Sequence, residues 1–229
     1  MKKLIMIILV VSLAASGLYA QNSFFPTKIG TELTNVAKDS KGNITSYTKA
    51  TIKNVTGSGK NMTILYEAEV LDKNRKPSNP PQIVPLTVVI KDNVMTMDMK
   101  EMFATQFKDQ SIKMEISGTP QEIPNNIQPG QTLKDADITM VIDMVITKMT
   151  TVIKMTDGKC EAIEDVSVKA GTFKCHKITQ TVTTTAMKNS VTMKVITWYA
   201  PGIGPVKTET YDDKNKLQGS TELVEIKGN

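Results

Sequence analysis

The sequence predicts an all-β protein: an antiparallel β-barrel of about a dozen strands, closed or partly open, with one short helix. Three observations carry that prediction. Segments rich in Thr, Val and Ile recur at near-regular spacing along the 229 residues, separated by clusters of Gly, Asn, Asp and Pro, the signature of sandwiches and barrels rather than of βαβ units. So many strands left with open edges would template aggregation, and closing the sheet removes the edges. Only Lys100 to Lys108 breaks the pattern, with Met102, Phe103, Gln106 and Phe107 at helical spacing over two or three turns.

The elements follow in order. Met1 to Ala20 reads as a secretory signal: Lys2 and Lys3, an apolar run from Leu4 to Leu13, then Ala14-Ala15-Ser16-Gly17 and Ala20 before Gln21. The run falls short of the roughly 20 residues of a membrane span, and no Cys follows it. The expectation is therefore an exported protein, soluble in the periplasm or cell envelope, with no transmembrane span and no lipid anchor. Residues 21–229 form the single barrel domain. Within it, Ile44 to Val55 and Asn61 to Leu71 make a hairpin, and Lys76 to Pro85 reads as a loop because Pro77, Pro80, Pro81 and Pro85 remove ladder donors. Leu86 to Ile90 and Val94 to Met99 bracket a Lys91-Asp92-Asn93 turn. Gly118 to Lys134 is a long Pro-containing loop of the kind that is usually functional or a crossover. Strand material resumes from Asp137 to Met155, ending at Asp157-Gly158-Lys159, and continues in hairpins to Ile226. No residue-level internal repeat is evident.

Function is less legible. The formal charge of +5 falls to +3 without Lys2 and Lys3 (5 − 2 = 3), and it is spread over turns. Aromatics make up 5% of residues and are scattered, so a nucleic-acid surface, which needs a basic stripe or stacking residues, is not expected. Cys160 and Cys175 are the two cysteines, and in an exported chain such a pair reads as a disulfide. A tight turn at Lys169-Ala170-Gly171 would set the two thiols apart along the strand, so the bond demands a bend, a crossing of sheets or a different turn.

His176 is the sole histidine. It cannot build a multi-histidine metal site, and nothing marks a nucleophile for it to activate. Met95, Met97 and Met99 share a strand face, as do Met140 and Met144; thioethers favour Cu(I), but methionine more commonly fills a core or greasy pocket. Glu161, Glu164 and Asp165, or Asp212 and Asp213, could serve a hydrolase, yet they sit at segment ends beside lysines. In Trp198-Tyr199-Ala200-Pro201-Gly202-Ile203-Gly204, Pro201 and Gly202 suit a type II turn and Gly204 a bulge, with Trp198 packed beneath or, alternatively, Trp198 or Tyr199 stacking on a ligand.

Val168-Lys169-Ala170-Gly171-Thr172-Phe173-Lys174-Cys175-His176-Lys177-Ile178 and Trp198 to Lys207 together resemble the TapB-like family of exported proteins of unknown function. Ile127 to Leu133 and the lead-in from Phe25-Pro26 to Gly30 are similar to its pattern. The resemblance implies a barrel in the style of lipoprotein carriers, no established activity and no catalytic residues. The reading is of a non-enzymatic envelope protein, without metal or cofactor, that binds an apolar, lipid-like or amphipathic ligand or an envelope protein. The alternatives are an envelope hydrolase and a Met-rich copper-binding protein.

Overall fold

A computed structural model describes residues 23–98, 112–144 and 147–228. In these segments thirteen strands form a single antiparallel sheet. They are β1 (Glu32–Asp39), β2 (Ile44–Ser58), β3 (Asn61–Leu71), β4 (Pro77–Lys91), β5 (Val94–Asp98), β6 (Ile112–Thr119), β7 (Ile123–Pro124), β8 (Ala136–Met144), β9 (Thr147–Val168), β10 (Gly171–Ala186), β11 (Asn189–Ala200), β12 (Gly204–Tyr211) and β13 (Leu217–Lys227). No helix occurs among the described residues, and the helix expected at Lys100 to Lys108 lies outside them. The spatial order is β6-β8-β9-β10-β11-β12-β13-β1-β2-β3-β4-β5-β7.

Of the expected barrel, closed or partly open, the closed form is not made by hydrogen bonds: β6 and β7 end the sheet and do not pair with each other. The sheet is nevertheless rolled, because Met97 and Asp98 of β5 and Ile116 to Gly118 of β6, near its opposite ends, line one groove.

Turn chemistry explains the meander. Residues 39–43, 72–76 and 212–216 adopt one turn three times over. In each, the leading Asp accepts backbone N–H bonds through Oδ1 from the residues two and four positions on: Lys41 and Asn43, Asn74 and Lys76, Lys214 and Lys216. The fourth residue has positive φ in every case, Gly42 at 83°, Arg75 at 63° and Asn215 at 57°. The Asp side chain thus replaces ladder bonds that the turn cannot make. This is a repeat of geometry, and the three sequences share only the leading Asp, so residue matching does not reveal it.

Two sequence expectations about strands are corrected. The proline-rich stretch is the first half of β4. Its pairing with β3 breaks between Val70 and Leu71, so that Pro77 opposes Leu71 and Gln82 opposes Val70 while 78–81 bulge outward. Pairing with β5 begins only at Thr87 opposite Asp98, so among the described residues the prolines lie on an edge, where a missing donor is tolerated. At Asp157-Gly158-Lys159 the chain does not end a strand either. It bends within the continuous β9, with Asp157 at φ 55°.

The apolar interior divides in two. The first core gathers Phe24, Phe25, Ile52, Ile64, Tyr66, Val88 and Cys160 among others. In the second, the tip of the β9–β10 hairpin folds against β11 to β13 and β1, where Val166, Phe173 and Cys175 pack on Leu33, Trp198, Val206 and Leu223. The Ala170 N–H donates to Leu223 O at 3.4 Å, tying the tip down.

The expected Cys160–Cys175 disulfide is absent; both thiols are free and buried. Cys175 pairs with Glu164 across the ladder, which puts Cys160 four residues, or roughly 13 Å, farther along β9. A disulfide needs Cα atoms within about 7 Å. The two thiols therefore belong to different cores, and burial pushes Cys175 up to about 11.

Candidate functional site

The first core is not filled. Between its aromatic floor and the sheet's two ends lies a cavity of about 200 Å³. The segment before β1 supplies Phe25, whose ring stacks on Tyr66 with centroids 5.8 Å apart. β5 supplies Met95 and Met97, β9 Met155, β10 Gln180 and β11 Tyr199. Among the described residues, none that lines it is Asp, Glu, Lys, Arg or His. Outward, the cavity shares Thr96, Met97, Pro120 and Ile138 with the groove between the sheet ends, a further 290 Å³ in which Asp98 is the one ionisable lining residue among those described.

Burial pushes the Tyr199 hydroxyl up to about 12 and the Tyr66 hydroxyl higher still, so both stay neutral. Gln180 Oε1 is fully enclosed and has no hydrogen-bond partner. The Gln180 side chain lines the cavity, where Thr96, Gln121 and Tyr199 are the other polar residues among those described.

Of the methionines read from the sequence, Met95 and Met97 line this cavity. Met99 lies outside the described residues, and Met140 does not reach the cavity. Met155, Gln180 and Phe25 were not singled out by sequence reasoning. Gln180 had one available signal, a long amide side chain between Thr179 and Thr181 in a strand of Thr and Val. Tyr199, weighed as a stacking residue, does face the cavity.

Trp198 does not. Its indole N–H donates to Glu164 Oε1 at 2.7 Å, and Lys177 and Lys207, its ladder partners on either side, lie 5.4 and 5.2 Å from the ring centroid. The following turn has the geometry of type II: Ile203 N–H donates to Ala200 O at 3.1 Å, with Pro201 leading and Gly202 at φ 73°. Gly204, at φ 95°, lies beneath the Phe25 ring.

His176 lines a separate groove of about 420 Å³ with Gln128, Ile163, Phe173, Lys174 and Pro201. Its Nδ1–H donates to Ile127 O at 3.0 Å, and Phe24 meets the ring edge-on at 5.2 Å. Burial lowers its affinity for a proton, against the opposing pull of the Ile127 carbonyl. The carboxylates weighed for hydrolysis are dispersed: Glu161 pairs with Lys159, Glu164 bonds Trp198, and Asp212 holds a turn. Among the described residues no cluster of His, Cys, Asp and Glu could hold a metal ion.

The arrangement resembles known folds. A Bacteroides fragilis protein, described as a candidate exported protein with YmcC-like fold, superposes with a TM-score of 0.70 at 21% identity, over 90% of this chain and 99% of that one. A Parabacteroides distasonis protein, described as a candidate lipoprotein, gives a TM-score of 0.70 at 21% identity, over 90% of this chain and 98% of its own. At that identity the likeness establishes the fold alone. No curated protein matches the sequence. A family model described as DUF3108-like matches residues 28–223. The class implied by the sequence resemblance, a domain of unknown function, is therefore right, while the finer TapB-like name is not what matches.

Proposed function

This chain belongs to the DUF3108-like family, and from that premise we propose that it is an exported, non-enzymatic envelope protein that carries an apolar or amphipathic ligand. The observation that supports this reading is the cavity of about 200 Å³, bounded by thioethers and aromatic rings and continuous with a groove between the two sheet ends. Small-molecule sites are concave and mostly apolar, with few polar groups, and methionine adapts to the shape of what it meets. We read the rolled sheet as a partly open barrel whose unpaired seam admits the ligand.

Export rests on the Met1 to Ala20 signal pattern, and the absence of a Cys after its apolar run favours a soluble form over a lipid-anchored one. The TapB-like kinship remains a reading of the Ala170 to Phe173 and Trp198 to Gly204 segments. Two features favour a binder over a hydrolase: His176 is held by a backbone carbonyl, and its groove is lined by no carboxylate, Ser or Cys.

The test is native mass spectrometry of the protein purified from its host's periplasm, before and after denaturation. An added mass that leaves on unfolding is the expected result. A bare chain that also fails to bind an apolar fluorescent dye would overturn the carrier reading and point to a protein partner. The copper alternative is decided by Cu(I) titration of protein with Met95, Met97 and Met99 changed to Leu. Unchanged affinity excludes those three thioethers.

A further inference from the structure

We infer that the cavity's ligand is a neutral amphiphile whose polar end donates a hydrogen bond to Gln180. This rests on the carrier reading and specifies its ligand. The backbone gives the first reason. On the β11 side Gln180 pairs with Val195 in regular register, but on the β9 side the ladder jumps from Thr179 opposite Lys159 to Thr181 opposite Thr156. Asp157 and Gly158 together therefore face the single Gln180, a bulge of the kind that re-aims a side chain and recurs beside binding sites. Gly158 is needed there, since a Cβ on it would stand 2.8 Å from Leu133 Cβ.

Polar satisfaction gives the second. Buried acceptors are ordinarily hydrogen-bonded, and each exception calls for an explanation. Gln180 lines the cavity and its Oε1 is enclosed and unpartnered, so a donor carried in beside this side chain by the ligand would complete it.

Charge gives the third. Among the described residues no cationic side chain lines the cavity, so a carboxylate or phosphate head would be buried uncompensated by them, which is far costlier than burying a hydroxyl or amide. The occupant is therefore an aliphatic chain ending in a hydroxyl or amide. At about 30 Å³ per water-sized group, the inner cavity holds roughly seven such groups, and the rest of a chain would lie in the outer groove.

The test is displacement of N-phenylnaphthylamine from the purified protein by decanol, by its methyl ether and by decanoate at a pH of about 8, where the acid is ionised. Decanol should compete about ten-fold better than the ether, the size of effect expected for one buried hydrogen bond, and decanoate should be weakest. Gln180→Leu should retain the dye and abolish the difference between alcohol and ether. Equal competition by alcohol and ether in the wild-type protein would overturn the inference, and so would decanoate binding tightest. Because that comparison uses the wild-type chain, it decides the matter even if the variant does not fold. If none of the three compounds displaces the dye, or no dye binds, the carrier reading falls and this inference with it. Displacement without discrimination sinks this inference alone.

Discussion

The two cores are built from the same sheet, yet they treat polar groups in opposite ways. In the second, Trp198 is 7% exposed, its one donor meets Glu164, and lysines flank its ring. Every polar feature of that indole has a counterpart within the chain. In the first, Gln180 Oε1 is enclosed but has no counterpart, and its side chain lines a void. A core that satisfies itself is built for stability, whereas a core with an orphaned acceptor and a void is incomplete without something from outside.

The largest expected effect should fall on the self-satisfied core. Trp198→Ala removes the anchor of the folded-back hairpin, and large aromatic truncations of this kind cost about 3–5 kcal/mol. Urea unfolding should register that loss, while dye binding at the cavity persists under conditions where the variant is folded. Loss of binding together with full stability would reverse the roles assigned to the two cores.

A smaller effect is expected where the cores meet. Gly204 sits at φ 95° with the Phe25 ring 3.5 Å from where a Cβ would stand. The space is adequate but the backbone is not, so Gly204→Ala should cost about 1–2 kcal/mol through φ strain. An unchanged unfolding midpoint would show that the backbone relaxes out of this conformation.

How far the sequence disclosed this contrast depended on the range of the interactions. Hairpins and the type II turn at Pro201-Gly202 are local, set by residues that fix their own φ, and could be read directly. The signal in the region of Trp198 was also visible, because a lone Trp beside a rigid turn stands out. The bend at Asp157-Gly158 was misread as a strand end, since Asp-Gly is turn chemistry; only the ladders from β8 and β10 hold it within one strand. Cys160 and Cys175 are held apart by register instead, since Cys175 pairs with Glu164, four residues beyond Cys160. Sheet closure was inferred from the general hazard of open edges, but whether two ends pair depends on roll and register, which no local pattern encodes. Gln180 went unnoticed because its significance is an absence of partners, and an absence appears only once the neighbours are placed.

The next prediction separates wall from support. Met97 is partly buried and borders the void, so Met97→Ala removes few packed contacts and should cost less than the roughly 2 kcal/mol at the low end for buried Met truncations. It should nevertheless change dye affinity measurably. A stability loss comparable with that of Trp198→Ala would mean that the cavity is filled by the protein's own rearrangement.

The smallest effect concerns His176, which lies on β10 between Cys175 of the second core and Ile178 of the first. Burial lowers its folded-state pKa, whereas in the unfolded chain it titrates near its ordinary value of about 6.5. Between those two values the unfolded chain binds more protons, so unfolding free energy rises with pH there. The stabilisation is fully present above about pH 6.5 and is lost as pH falls through the lower, folded value. The lowered carboxyls of Asp39, Asp72 and Glu161 titrate in a separate window below roughly pH 4.5. Denaturation at a series of pH values from about 7.5 to 5.5 should therefore show a shallow decline that His176→Gln removes, since glutamine can still donate to Ile127 O but does not titrate in this range. A decline of the same slope in the variant would assign it to other groups and leave the histidine a purely packed residue at the junction of the two cores.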